Sequence, residues 1–285
     1  MNEATRQGAE ALRRVVGEAN VGELSFPTSV DASRRVMKAV ENPDLGLSDL
    51  AKIVVAEPLL SAKVIRLANS VALNPTNQTV RDVKQAVMRV GMDPIKSLAM
   101  VLVMDQLRQS QRHSGTRELS NRLWERSIHV AALSFVVARK LTRLNADEAM
   151  FAGIVHDLGR FYLLSRAADY PALLEDPVVL AETVNDLADR AGAMVFAKLD
   201  LPESVVKAVL SARHYSGSMP PATLGDLIFV ASALSPRADP FDELDARIVV
   251  PENRAVALGL DQSTVAEVVT ASGDEIYSIV IALES

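Results

Sequence analysis

The chain has 285 residues, of which 49% are apolar, 4% aromatic and 23% charged, with a net charge of −6 and no cysteine. The apolar share supports a sizeable core and excludes disorder as the main state, and few aromatics against abundant Ala, Val and Leu favour helices over an aromatic-rich sandwich. Without cysteine there are no disulfides, no thiolate chemistry and no Cys-based zinc or iron–sulfur site.

An acidic chain does not coat nucleic acid generally, since phosphate neutralisation needs a concentrated cationic face. Apolar runs such as Leu98 to Met104 and Leu227 to Leu234 are far shorter than the roughly 20 residues that cross a bilayer, and Met1 to Arg6 precede no signal-peptide core. These features predict a cytoplasmic protein with no membrane contact.

From Glu3 to Ala19, Ala9, Leu12, Val15, Val16 and Ala19 recur at helical spacing and predict a leading, loosely docked helix. After Phe26-Pro27 a short amphipathic helix carries Val30, Val36, Met37 and Val40 and ends at Asn42-Pro43. A third helix runs from Leu47 to Val55, with Ser48 as the expected cap and Asp49 at its positive end. Pro58 then opens a fourth, Leu59 to Ser70.

Helix, short turn and helix over 48–70 has the outline of a DNA-reading helix-turn-helix, in which Lys63, Arg66 and Asn69 would meet phosphates and base edges. Against this, Leu59, Leu60, Val64, Ile65 and Leu67 make the second helix too apolar to lie exposed in a groove. Packing is the favoured reading.

Val80, Val83, Val87 and Val90 predict a further helix closed by Gly91, and Asp93-Pro94 reads as cap and first turn of the next, which reaches about Leu107. Residues 109–116 are polar and lack apolar period, so they are the expected linker between two halves. Arg108, Arg112, Arg117, Arg122 and Arg126 outnumber Glu118 and Glu125 there, and a solvated loop and helix face is favoured over a binding patch.

Beyond it, Leu119 to Leu141 form a long helix with a buried stripe of Trp124, Ile128, Ala131, Phe135 and Ala138. Asn145 and Glu148 have capping-box spacing and start a helix that ends at His156 and Asp157. Helices follow at Val178 to Leu199, around Val205 to Leu210, and at Leu224 to Leu234. A Pro-containing loop spans Ser235 to Pro251, and a last helix runs from about Gln262 to Leu283.

The segment Phe151 to Arg160, Phe-Ala-Gly-Ile-Val-His-Asp-Leu-Gly-Arg, is where a histidine and a carboxylate stand side by side. Both can ligate a divalent cation, but a working site needs three or more protein ligands and an open position. His129, about one turn after Arg126, and His214 are possible helpers. Asp169, Asp186 and Asp189 read as solvated charges.

The ordered set Glu57-Pro58-Leu59-Leu60, Leu67-Ala68-Asn69-Ser70, Ala86-Val87-Met88-Arg89-Val90-Gly91, Leu123-Trp124 with Ser127, and Gly153 to Arg160 resembles the HDOD family, the HD-related output domains of bacterial signalling proteins. Pro27, Leu47 to Leu50, Leu201-Pro202 and His214 extend the likeness over roughly 24–215. The resemblance implies an all-α, HD-like helical bundle with an N-terminal helical subdomain, often without its metal and catalytic residues, that serves as a regulatory or protein-binding output module. This chain departs further. Arg126 falls on the usual first-ligand position, Ala188 and Asp189 stand where a His is often seen before Gly192, and His214 is flanked by Arg213 and Tyr215 rather than by a second His.

The expected layout is a leading helix at 1–23, a helical subdomain at 24–108, the linker at 109–116, an HD-like subdomain at 117–215 and a helical extension at 216–285. The expected function is non-enzymatic signalling through a protein partner, with no catalytic residue, no metal and no cofactor. The pair His156–Asp157 is then a buried structural pair, its carboxylate drawn toward Arg126 or Arg160. A metal-dependent phosphohydrolase using His156–Asp157, and a DNA-binding regulator using 48–70, are the alternatives.

Overall fold

A computed structural model describes residues 3–18, 30–109, 114–251, 254–260 and 263–284. Among them there is no strand, and the fold is all-α as expected. The elements in order are α1 (Glu3–Glu18), α2 (Val30–Val40), α3 (Leu47–Val55), α4 (Pro58–Ala68), α5 (Val83–Val90) and α6 (Met92–Gln109). Next come α7 (Ser114–Leu141), α8 (Ala146–Val155), α9 (Leu158–Ala167), α10 (Pro171–Leu174), α11 (Pro177–Lys198) and α12 (Glu203–Ser211). The chain closes with α13 (Leu224–Leu234), α14 (Pro240–Leu244), α15 (Arg254–Ala257), α16 (Thr264–Ala271) and α17 (Gly273–Glu284).

The organising element is α7. From Val130 to Ala138 every side chain is buried, so this half of the helix is enclosed on all sides rather than on one stripe. It packs against α8, α13, α17, α16 and α6. Helix α8 is enclosed in the same way from Ala149 to Val155, and its start is fixed by Asn145, whose Oδ1 accepts from the N–H groups of Asp147 and Glu148. One cluster of buried apolar residues runs from Ala9 to Leu283, with α6 packed on α8 and α9. Side chains such as Phe161, Phe196 and Leu98 are fully buried there, each stabilising the fold by about 1.5–3 kcal/mol.

Several local expectations need correction. Helix α1 is not loosely held: Ala9, Leu12 and Val16 are buried against α10 and α11, and Thr5 Oγ1 donates to the Ala172 carbonyl. Gly46, not Ser48, caps α3, because the helix begins one residue before Ser48. Gly91 has φ +85 as its position requires, and α6 begins directly after it, so Asp93 lies in the first turn, where its charge suits the helix dipole, rather than at the cap. The expected last helix is two, α16 and α17, broken at Ser272, whose hydroxyl receives Lys140 Nζ at 2.8 Å. The loop 235–251 contains α14, started by the Asp239 cap and Pro240.

The Phe26-Pro27 opening, residues 110–113 of the expected linker and Arg112 lie outside the described residues. Of the arginines read as a solvated face, Arg108 binds Asp105 and Asn121, Arg122 binds Glu243, and Arg126 is buried.

Candidate functional site

The chain turns from α8 into α9 at His156 and Asp157, which close one helix and open the other. Two glycines bracket this turn, and each permits a backbone approach. A Cβ on Gly153 would lie 2.7 Å from the Ala131 Cα of α7, and one on Gly159 would lie 2.4 Å from the Ala188 carbonyl oxygen of α11. The turn is thereby pressed between α7 and α11, which fixes where its two side chains go.

Asp157 occupies the cap position of α9, but its carboxylate accepts from no helix N–H. Its Oδ2 accepts from Arg126 Nη1 at 3.1 Å and its Oδ1 from Arg160 Nη1 at 3.2 Å. Arg126 Nη1 also lies 2.8 Å from His156 Nε2. Because a guanidinium has only donors, we assign this imidazole nitrogen as the acceptor, and Nδ1–H then donates to the Gly153 carbonyl at 2.7 Å. Arg126 Nη2 donates to Ser232 Oγ and stands 3.6 Å from Asp239 Oδ2.

Asp239 is the residue that sequence reasoning missed. Its Oδ2 accepts from Arg160 Nη1 at 2.6 Å, while its Oδ1 accepts from the N–H groups of Phe241 and Asp242 and so starts α14. Arg160 Nη2 donates to Asn185 Oδ1 at 2.9 Å, and its guanidinium lies over the Phe241 ring. The result is a buried lattice of two arginines and two aspartates, all with side chains no more than 10% exposed.

Burial works to raise the Asp157 pKa, but His156, Arg160 and Arg126 hold it well below the ordinary carboxylate range. Asp239 is likewise held low against its burial by Arg160 and Arg126, and Arg160 is raised against its own burial by Asp239 and Asp157. Asp242 goes the other way: burial and the neighbouring Asp239 push its pKa up. A cavity of about 310 Å³ opens over the lattice.

The other sequence candidates do not join this site. His129 Nδ1 lies 2.8 Å from the Glu125 carbonyl on its own helix, and His214 is exposed. Asp169 pairs with Arg166 at the surface, and Asp186 with Arg13 and Arg247. Asp189 does reach the cavity, at its rim, paired with Arg213 at 3.1 Å. Among the described residues no group of three or more His, Asp or Glu is placed to hold a metal ion.

The helix-turn-helix residues are turned to internal use. Lys63 is 5% exposed and its Nζ donates to the Leu283 carbonyl at 2.7 Å, under α17. Asn69 bridges the chain, donating to the carbonyls of Ile65 and Val80 and accepting from Val80 N–H. Of the three, Arg66 alone is exposed. The apolar character of α4 is explained by Leu60, Val64 and Leu67, which are buried. No helix among the described residues is long and apolar enough to cross a membrane.

The chain is similar over its whole length to a crystal structure from Shewanella amazonensis SB2B provisionally named a metal-dependent phosphohydrolase, with a TM-score of 0.76, 25% identity, and 99% of this chain and 100% of that chain covered. The fold alone is shared with an HDOD domain protein of unknown function from Geobacter sulfurreducens, at a TM-score of 0.60 and 17% identity over 98% of each chain. It is shared too with a provisionally named signal transduction protein from Marinobacter aquaeolei VT8, at a TM-score of 0.60 and 20% identity over 99% of this chain and 66% of that one. An uncharacterized protein of Treponema pallidum (strain Nichols) is 25% identical over 191 residues, 61% of this chain, and the chain spans 35% of that protein's length. The HDOD domain pattern matches residues 26–215, two thirds of the chain and the part that holds Arg126, His156, Asp157 and Arg160, and the chain belongs to the HDOD family.

Proposed function

We propose that this chain is a non-catalytic signalling module that acts in the cytoplasm by contact with a protein partner, and that its HD site is degenerate. The observation that carries the reading is the Arg126 guanidinium, which stands between His156 Nε2, Asp157 Oδ2 and Asp239 Oδ2. A fixed cation there takes up the lone pairs that a divalent metal would need. The residues present therefore do not fit a catalytic metal, and no hydrolytic step is derived through one. The signal transduction protein of the same fold supports an output role, as does an exposed apolar stretch that includes Val249, 93% exposed, and Val250.

The phosphohydrolase reading rests on the adjacency of His156 and Asp157 and on the name of the Shewanella protein. One experiment separates the two. The chain is produced in medium supplemented with manganese, iron and zinc, purified without chelators, and its metal content measured by elemental mass spectrometry. The proposal expects no stoichiometric metal and no turnover of bis(p-nitrophenyl) phosphate; one bound metal per chain with metal-stimulated turnover would overturn it. Affinity capture from the native host then identifies the partner.

A further inference from the structure

The chain has nine methionines and no cysteine, so methionine carries all of its sulfur. Most of these side chains are covered, Met37, Met100, Met104 and Met150 completely or nearly so. Among the described residues two stand open to solvent, Met88 at 58% and Met219 at 37% exposed. Their surroundings differ. Met88 lies on the outer face of α5, whose inner face is Ala86, Val87 and Val90. Met219 lies in the loop between α12 and α13, and its Sδ stands 3.7 Å from the Tyr215 hydroxyl.

That hydroxyl has one proton and two acceptors within reach. The Ser218 carbonyl takes the proton at 2.9 Å, and the thioether, a weak acceptor, is the second choice. The loop is tied so that the sulfur stays where it is. Asp226, 3% exposed, accepts from the Ser216 N–H and Oγ at one end of the loop and from Thr223 Oγ1 at the other, and Ser218 Oγ donates to the Pro220 carbonyl between them. The Tyr215 ring in turn stacks on Phe229 of α13, with centroids 5.0 Å apart and planes inclined by 4°. Phe229 lines the cavity over the lattice, and it lines the neighbouring outer hollow that carries the exposed Val249 and Val250.

We propose that Met219 is a redox-modification site, oxidised by hydrogen peroxide to the sulfoxide, and that the Tyr215 hydroxyl reads the change. A sulfur lone pair bonds to one peroxide oxygen, the O–O bond breaks, and the departing hydroxide takes the proton of the transferred oxygen. The sulfur is oxidised by two electrons, the peroxide is reduced, and one water leaves. The product carries a polar oxygen where the thioether was a weak acceptor. It competes with the Ser218 carbonyl for the single proton of Tyr215. Transfer of that hydrogen bond draws the ring from its stack on Phe229 and moves a wall shared by the cavity and the outer hollow. Methionine sulfoxide is reversible by its reductases, so a chain without cysteine gains a reversible sulfur-based input. The inference goes beyond the non-catalytic reading and does not depend on it, because neither Met219 nor Tyr215 belongs to the arginine–aspartate lattice.

The test treats the full chain with hydrogen peroxide and locates the modified methionines by peptide mass spectrometry. The tyrosine band of the near-ultraviolet circular dichroism is followed through the treatment and after reduction with methionine sulfoxide reductases. Met88 and Met219 should convert before the buried methionines, and the band should weaken in step with Met219 and return on reduction. Met88→Leu should respond as the parent does. Met219→Leu and Tyr215→Phe, with folding checked by melting temperature, should keep their aromatic signal through the same treatment, although Met219 is still oxidised in Tyr215→Phe. Met219 left intact while Met88 converts, an unchanged band with Met219 converted, or a change that persists in Met219→Leu or Tyr215→Phe would each overturn the proposal. None of these outcomes bears on metal content, so failure of this inference and failure of the non-catalytic reading are told apart.

Discussion

Arg126 Nη1 lies 2.8 Å from His156 Nε2 and 3.1 Å from Asp157 Oδ2, so one guanidinium nitrogen bridges both members of the adjacent pair. The bridge is closed on its other side by Arg160 and Asp239. A lattice of this kind is hard to break on one side, because the partner charge is left buried and uncompensated. Asp157→Ala should therefore cost about 3–5 kcal/mol in urea unfolding. The double variant Arg126→Met, Asp157→Leu should cost less than the sum of the single changes, since no charge is stranded between them. A chain as stable with Asp157→Ala as without it would show that the lattice is not a structural element.

The same groups set the response to acid. Asp157 and Asp239 have depressed pKa values in the folded chain. Their contribution is complete above the unfolded-state value of about 3.9 and is lost as pH falls through the folded values, so stability should decline below about pH 5. Asp239→Asn should flatten that decline. Asp242 has the opposite sign: its raised pKa means that its charge is unfavourable when folded, and protonation stabilises as pH falls toward the unfolded value. Asp242→Asn should accordingly raise the melting temperature at neutral pH.

Gly159 allows α9 to lie against α11, with no room for a methyl group beside the Ala188 carbonyl. Gly159→Ala should destabilise by about 3 kcal/mol through forced separation of the two helices. Gly115, exposed on α7 with nothing within 4 Å of an added Cβ, is the control. There the same substitution should be neutral or stabilising by up to about 1 kcal/mol. Chemical denaturation of both variants separates steric need from general loss of glycine.

What the sequence made legible was local. Helix α13 ends where it was expected, since the Thr223 cap and the Ser235-Pro236 stop are adjacent to its apolar run. The attraction of the Asp157 carboxylate to Arg126 or Arg160 was legible in the sequence, and the carboxylate binds both. The part played by Asp239 was not, because it meets Arg160 from 79 residues further along the chain, although its cap-then-proline signal before Phe241 was there to predict α14. The partner of Lys63 was hidden for the same reason: packing was the favoured reading of its helix and a groove reader the alternative, but the return of α17 that covers it comes 220 residues later.

Lys63 itself makes a pH prediction. Burial lowers its pKa to about 8 while its ammonium donates to the Leu283 carbonyl. A lysine depressed in the folded chain penalises the fold while charged, and the penalty is relieved as pH rises from about 8 toward the unfolded value of about 10.4. The stability difference between the parent chain and Lys63→Met should therefore move in favour of the parent over that interval. Urea midpoints at both ends measure it, and a constant difference would place the ammonium in solvent.

The sharpest test of the internal cation is to replace it with a ligand. In Arg126→His the lattice loses one positive charge, leaving Asp157 and Asp239 facing Arg160 alone, and gains an imidazole beside His156. Two imidazoles and a carboxylate meet the three-ligand minimum of open zinc sites. Without metal, the excess negative charge should lower the melting temperature. Added zinc or manganese should restore it, because an ion that binds the folded state alone stabilises in proportion to its occupancy. The parent chain should not respond to either metal. An Arg126→His chain equally indifferent to metal would mean that the guanidinium fills a gap between helices rather than the place of an ion, and the lattice would then be read as packing alone.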